Sequence, residues 1–465
     1  MRITRFGLPM AIAAGLLSGC GATPSSEAIE ADVDQALESE SPATPENWGT
    51  DSARGAVEVG WIDSFDDPAL TKLVEEAQAK NRDLAGAAAN VDRAWALARQ
   101  AGAALSPEIS ISAGAGRTGS VNSSAAATDL SLGLQISWEA DVWGRVRAGQ
   151  RGAVASAQAS EADFRSAQHS LAAATAKAYF TAIEANLQAD IARETLEILE
   201  ETQRIVNVKY ENGMASAQDV SLTRSDLASA RERVTTLGGS FRDALRALET
   251  LLGRYPGAEI EVRESLPVAP PPPPAGVPSE LLERRPDIMA AERRVAVAFN
   301  ASAQARAARL PTVGLTGDLG GASGSLSDLL DPANIAWRAG ASMLAPIFDG
   351  GRRREAVEFA TAAQEQALAN YGQAALNAFG ELETNLDQGV VIAQRTVDLE
   401  EATREAEKAY RIASLRYEEG EEDLLSVLTI QQRVIRAKSA LSSVERLLLE
   451  QRVNLNLALG GSWEQ

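Results

Sequence analysis

Asn81-Arg82-Asp83-Leu84 returns later in the chain as Arg285-Pro286-Asp287-Ile288. Asp83 and Asp287 stand 204 positions apart, and the same offset joins Val91 to Val295, Ala94 to Ala298, Ala101 to Ala305 and Pro107 to Pro311. Further on the offset grows to 205 (Trp138 and Met343, Trp143 and Phe348), then to 207 (Tyr210 and Tyr417, Gly213 and Gly420, Gly253 and Gly460). So small a drift over most of 465 residues means one long unit written twice, not a short-period solenoid.

Each unit reads helix, strand, strand, long helix, turn, helix. From Asn81 to Leu105 the apolar and alanine positions recur at helical spacing, and Pro107 ends that helix. Ile109, Ile111 and Ala113 then alternate with Ser110 and Ser112. After a Ser/Gly/Ala loop, Leu130, Leu132, Leu134, Ile136 and Trp138 alternate with Ser131, Gly133, Gln135, Ser137 and Glu139. Such a segment has one apolar and one polar face and is about long enough to cross a bilayer when tilted. The second unit does the same with Val313, Leu315 and Leu319, then Ile335, Trp337, Ala339, Ala341 and Met343. With no further strands to complete a soluble sheet, and tryptophans where an interfacial girdle belongs, these are read as four membrane strands. The long helices, about Arg145–Asn212 and Arg352–Glu419, contain no proline. At roughly 1.5 Å per residue each reaches about 100 Å, the scale of a coiled coil or helical tube. Shorter partners, Asn81–Leu105 plus about Ser216–Leu252, sum to nearly the same length and can stack along them. Between the units, five prolines (Pro270 to Pro274) form a stiff extended connector, read as a strap.

Composition narrows the function classes. A net charge of −20 repels phosphate backbones, so no nucleic-acid partner is expected. One Cys and one His cannot form an internal disulfide or a structural metal site. No cofactor or metal is therefore expected, and His169, in an Ala-rich helical run, is read as a surface or interface residue. Gly114-Ala115-Gly116-Arg117-Thr118-Gly119 fits the dinucleotide fingerprint, but it ends a strand without opening a helix. Paired carboxylates, a nucleophile elbow and metal-ligand spacing do not stand out, so no catalysis is expected.

The N-terminus reads as an export signal: Arg2 and Arg5, then the short apolar run Phe6–Leu17, then Leu17-Ser18-Gly19-Cys20. That ending resembles the bacterial lipobox, in which the Cys is diacylated and becomes the first mature residue. Gly21 follows where an inner-membrane lipoprotein commonly has Asp, so the expected address is the outer membrane. The expected organisation is a signal peptide at 1–19, a loose lipid-anchored tether at 20–60, repeat one at 61–260, a Pro-rich linker at 261–280 and repeat two at 281–465.

Two stretches carry a specific resemblance. Trp61-Ile62-Asp63-Ser64-Phe65-Asp66-Asp67-Pro68-Ala69-Leu70, with Leu73, Ala77, Asn81 and Asp83, resembles the opening of the TolC-like outer-membrane factors. Pro278-Ser279-Glu280-Leu281-Leu282-Glu283-Arg284-Arg285-Pro286-Asp287-Ile288, with Ala291-Glu292, resembles the signature of their NodT-type lipoprotein branch. The resemblance implies an α+β membrane protein: a homotrimer with a twelve-strand barrel, a twelve-helix periplasmic tube and an equatorial domain. It implies a passive exit duct fed by an inner-membrane pump, expected to be of the resistance–nodulation–division type, through a periplasmic adaptor protein. Physics agrees with three copies. Four strands cannot close, open edges are not tolerated in lipid, eight strands leave an interior filled by side chains, and twelve leave a passage. The rival reading is a lipid-anchored coiled-coil structural or adhesive protein without a pore; the strands inserted between the helices oppose it.

The turns between paired helices form the candidate entrance. Lys209-Tyr210-Glu211-Asn212-Gly213-Met214 and Arg416-Tyr417-Glu418-Glu419-Gly420-Glu421 each place Gly just past a long helix. In the family such tips meet the adaptor, which assigns docking to Tyr210, Gly213, Tyr417 and Gly420. Glu418, Glu419, Glu421, Glu422 and Asp423 would make an acidic mouth. Relatives often hold the closed entrance with Asp near the positions of Thr429 and Ser426, where this chain has hydroxyls. The gate is therefore expected from Leu425 as an apolar plug, with Ser426, Thr429 and Gln432 beside it. No Met/His ladder marks the cargo as copper or silver, and the cargo itself is not readable.

Overall fold

The computed structural model describes residues 25–45, 47–50, 60–119 and 126–462. Both repeats fold as read. Helix α3 (Arg82–Ala103), strands β1 (Glu108–Gly119) and β2 (Ala126–Ala140), and helices α4 (Arg145–Glu211) and α5 (Ala217–Leu251) make the first. The short helix α6 (Leu281–Arg284), helix α7 (Pro286–Ala307), strands β3 (Thr312–Ser323) and β4 (Ile335–Leu344), and helices α8 (Arg352–Glu419) and α9 (Leu424–Ala458) make the second. The α4 and α8 helices have 67 and 68 residues, and α5 and α9 have 35 each. The fingerprint-like glycines at 114–119 lie inside β1, so they open no helix.

The stretch that revealed the repeat also closes it. The Asn81 side chain donates to the carbonyl of Leu251 at the end of α5, and that of Arg285 donates to Ala458 at the end of α9. Beside these contacts Gly253 (φ +70°) would place a Cβ 2.5 Å from the Lys80 carbonyl oxygen, and Gly460 (φ +70°) one 3.2 Å from that of Arg284. Each repeat thus fastens the foot of its last helix to the head of its first, where a side chain would be both strained and crowded.

The chain divides into two compact units that cut across the repeats. One comprises Met1–Ser41, Asn90–Glu161 and Ala290–Gln373 and contains the sheet. The other comprises Pro42–Ala89, Ala162–Met289 and Ala374–Gln465. The second unit's core gathers Trp61, Ile62, Phe65, Leu70, Tyr179, Phe180, Ile183, Leu248 and Leu252, all nearly inaccessible. Helix α2 (Pro68–Lys80) was not distinguished in the sequence. Asp67 caps it, accepting from the Ala69 and Leu70 amides, and also accepts from Tyr179 Oη (3.1 Å) and pairs with Arg263 (3.2 Å). Burial first, then the Asp67 carboxylate, pushes the Tyr179 hydroxyl well above its ordinary pKa. Glu249 is pushed up by burial, but the Ala258, Glu259 and Ile260 amides donate to it and hold it below the usual carboxylate range.

The loose tether needs correction. Ser26–Glu40 is a helix, α1, capped by Ser25, with Ile29 and Val33 buried one turn apart. Trp48 Nε1 donates to the Ala275 carbonyl, so the segment is also fastened to the proline connector. The connector is itself held: Arg452 Nε donates to the Pro270 carbonyl at 2.9 Å. Short i, i+4 apolar pairs inside an acidic, Ser-rich stretch were the overlooked signal. Cys20 lies outside the described residues, and His169 is half-buried in α4.

Candidate functional site

The wall comes first. The four strands form one antiparallel sheet in the order β1-β2-β3-β4, and the β2–β3 pairing joins the two repeats. Its register puts Ile109, Ile136, Gly317 and Ala339 in one cross-strand row, Ile111, Leu134, Leu319 and Trp337 in the next, then Ala113, Leu132, Gly321 and Ile335. All of these share a face, because alternate residues along a strand point the same way. The opposite face carries Ser110, Gln135, Asp318 and Arg338 in one row and Ser137, Thr316 and Gly340 in another. The apolar face is bare: Ile111 is 75% exposed and Trp337 78%. The Trp138 and Trp143 indoles donate to the Leu105 and Pro311 carbonyls at the ends of the strands. The outer edges of β1 and β4 have no strand partner among the described residues. Among those residues no helix is long and apolar enough to cross a membrane.

The entrance candidates lie at the two helical turns of the second unit. Gly213 (φ +75°) and Gly420 (φ +81°) take the left-handed conformation that lets each chain reverse. Equivalent hydrogen bonds close both turns: Met214 to Lys209 at 2.7 Å and Glu421 to Arg416 at 2.8 Å. Ser216 and Asp219 form a reciprocal capping box at the start of α5, whereas Asp423 caps α9 by accepting from the Ser426 amide. A small core of Leu199, Val206, Val220, Leu227, Leu424 and Leu428 packs the hairpins together.

One contact that the sequence did not reveal ties the hairpins. The Lys209 ammonium sits 3.8 Å from the Tyr417 ring centroid and donates to the Tyr417 carbonyl at 3.0 Å. Burial, then the Asp219 carboxylate, raises the Tyr417 pKa. Tyr210, its counterpart, is 49% exposed.

Four acidic residues of the mouth, Glu418, Glu419, Glu421 and Asp423, are exposed, and Glu422 is half-buried. Arg416 stands 3.7 Å from Glu421 and 4.0 Å from Glu422 and so offsets part of their charge. Leu425, Thr429 and Gln432 fall on one exposed stripe of α9 that continues to Arg436; Leu425 is 63% exposed. Ser426 is half-buried and off that stripe. Thr429 Oγ1 donates to the Leu425 carbonyl, so its one hydroxyl proton is used within the helix. Among the described residues no cluster of His, Cys, Asp and Glu could hold a metal ion.

A sheet apolar on its bare face, joined in one chain to very long paired helices, is the fold of an outer-membrane duct, and the comparisons agree. The outer membrane efflux protein family matches at residues 73–254 and 277–461, one stretch in each repeat. The pyoverdine export outer membrane protein OpmQ of Pseudomonas aeruginosa is 32% identical over 97% of this chain and 95% of its own. The antibiotic efflux pump outer membrane protein ArpC of Pseudomonas putida is 30% identical over 99% and 96%. The solved outer-membrane channel OprN superposes with a TM-score of 0.82 at 31% identity, over 91% of this chain and 98% of that one. The chain belongs to the outer membrane efflux protein family. It is an outer-membrane channel reaching into the periplasm, the exit duct of a tripartite efflux system, and the pore-less fibre is not favoured.

Proposed function

We propose that this duct is a homotrimer, anchored by a lipid on Cys20, that catalyses no reaction and opens when a periplasmic adaptor engages its hairpin ends. The observation that carries the trimer is the sheet: among the described residues it has four strands, two edges without a strand partner and a bare apolar face, which lipid tolerates only when other copies complete the barrel. Tyr210, Gly213, Tyr417 and Gly420 are the docking points for the adaptor. The pump behind it is of the resistance–nodulation–division type. Residues 1–19 are the leader and 20–60 the anchored segment, and the two repeats at 61–260 and 281–465 flank the linker at 261–280. The gate is the α9 stripe led by Leu425, with Thr429 and Gln432 behind it and Ser426 at its margin. The acidic residues set the charge preference of the mouth. The duct has no energy source of its own; the adaptor biases the packing of the helices.

Conductance in planar bilayers, with native mass in the same detergent, tests this reading. Discrete channels from a species of three chains are expected, whereas a single-chain species without conductance overturns it. Fatty-acid labelling that marks the wild type and spares Cys20→Ser checks the anchor.

A further inference from the structure

The connection between β3 and β4 folds back onto the apolar face of the sheet. It first closes on itself. The Asn334 side chain donates to the Asp328 carbonyl at 2.8 Å, the Asp331 amide donates to the same carbonyl at 3.2 Å, and the Asp331 carboxylate accepts from the Ala333 amide at 2.9 Å. With these polar groups met internally, the loop can lie against hydrocarbon. It comes down on Gly321, where a Cβ would stand 2.5 Å from the Leu329 carbonyl oxygen, so the approach requires glycine. Gly321 belongs to the row of Ala113, Leu132 and Ile335 on the apolar face.

The approach leaves a slot between loop and sheet. A cavity of about 340 Å³ is floored by Ile111, Leu132, Leu134, Leu319 and Ile335 and walled by Leu329 and Leu330. Its lining is apolar side chains and glycine throughout, so a water molecule would find no hydrogen-bond partner there. The floor centres on β2 and β3, the inner strands of the sheet, whereas further copies would join at the outer edges of β1 and β4. Barrel closure therefore leaves the slot open to the bilayer, and cargo would pass along the opposite, polar face. Helices α4 and α8 leave the strands at the other end and reach into the periplasm, which puts the slot toward the outer end of the barrel. Leu326 of the same loop is 76% exposed, as a segment dipping into hydrocarbon should be. An empty slot would forfeit the dispersion contacts along its walls, and the flexible, wholly apolar body supplied at that depth is a lipid chain.

We propose that this slot is a lipid site: it holds one acyl chain of a membrane lipid, gripped between the apolar face of the sheet and the β3–β4 connection. The gripped chain differs from the lipid that bathes the rest of that face, because Leu329 and Leu330 close on it from the side away from the sheet. All of the lining belongs to one chain, so the site does not depend on how many copies complete the barrel.

Native mass spectrometry of the full-length channel, extracted from outer membranes and washed free of loosely held lipid, tests the assignment. The mass of the assembly reports the number of copies, and the added mass reports retained lipid, so the two readings stand or fall separately. One retained lipid per chain is expected for the wild type. Leu132→Trp fills the slot from its floor and Leu329→Ser removes its wall; each should lower lipid occupancy at least tenfold. Ile136→Trp adds the same bulk to the same face outside the slot and should retain lipid as the wild type does. Resistance of the folded band to heat and detergent shows which variants have folded, and if Leu132→Trp has not, Leu329→Ser decides alone. A wild type that retains no lipid overturns the site. So does undiminished retention in a folded Leu329→Ser or Leu132→Trp channel, or an equal loss in Ile136→Trp.

Discussion

The sheet and the hairpin ends are solvated in opposite senses. In the sheet, Ile111, Leu319 and Trp337 stand bare on one face while serine, glutamine and glycine line the other. At the hairpins Leu199, Val206, Val220 and Leu428 are buried among helices and the carboxylates face out. The same driving force acts in both, but the solvent differs: hydrocarbon against the strands, water around the turns. An exposed apolar residue therefore means lipid in the first region. At the turns, where Met214, Leu415 and Leu425 break the apolar-in packing, it points to a protein surface instead.

The largest effect should come from reversing the sheet. Leu134→Arg puts a charge on the apolar face and should cost about 2–4 kcal/mol near the bilayer midplane. Folding into lipid vesicles, followed by resistance of the folded band to heat and detergent, should fail or shift strongly. Gln135→Arg, one residue away on the polar face, should fold normally. Equal loss from both would place this strand outside the membrane.

Leu425 offers the next test. Covering a leucine contributes about 1.5–3 kcal/mol, and apolar contacts are not screened by salt. Leu425→Ala should raise single-channel conductance at low and high salt alike. If the variant is silent, the apolar plug is wrong.

Neutralising Glu418, Glu419, Glu421 and Glu422 to Gln should act more weakly. Exposed charges contribute well under about 1 kcal/mol each and fade with ionic strength. Reversal potentials should show reduced cation preference at low salt and little change at high salt. Opening of the pore by this variant would instead make the carboxylates the gate.

The smallest effect concerns pH. The Arg254 side chain, with help from Lys80 and against burial, holds Glu76 down at about 2 rather than its ordinary 4.5. A depressed carboxyl contributes its stability fully above its unfolded value and loses it as pH falls toward 2. Acid denaturation of Glu76→Gln should therefore be flatter between about 4.5 and 2 than that of the wild type, with little change near neutrality. An identical acid limb would dismiss the pair.

Much of this was legible beforehand. The twin helices start at Arg145 and Arg352 as the spacing indicates, and the strands extend the alternation by only a few residues. Helix α1 was missed because its two apolar residues sit in a stretch whose composition reads as unstructured, and only docking makes such a segment helical. The candidate gate was legible only in part. Leu425 and the glycines could be named, but the stripe separating Thr429 and Gln432 from Ser426 emerges only when the phase of α9 is set by what it buries.

By itself the sequence determined the duplication, the order of elements in each half and the two-faced strands. These are periodic properties of neighbouring residues, and a local period survives whatever the chain packs against. Only the tertiary structure decided which copies of a repeated contact are made. Lys438 reaches Glu194 across 244 positions of sequence, while Arg231, its equivalent 207 positions earlier, bridges only to Glu200 among the described residues. Two halves with nearly the same pattern cannot say which one covers the other; that depends on how the chain closes in space.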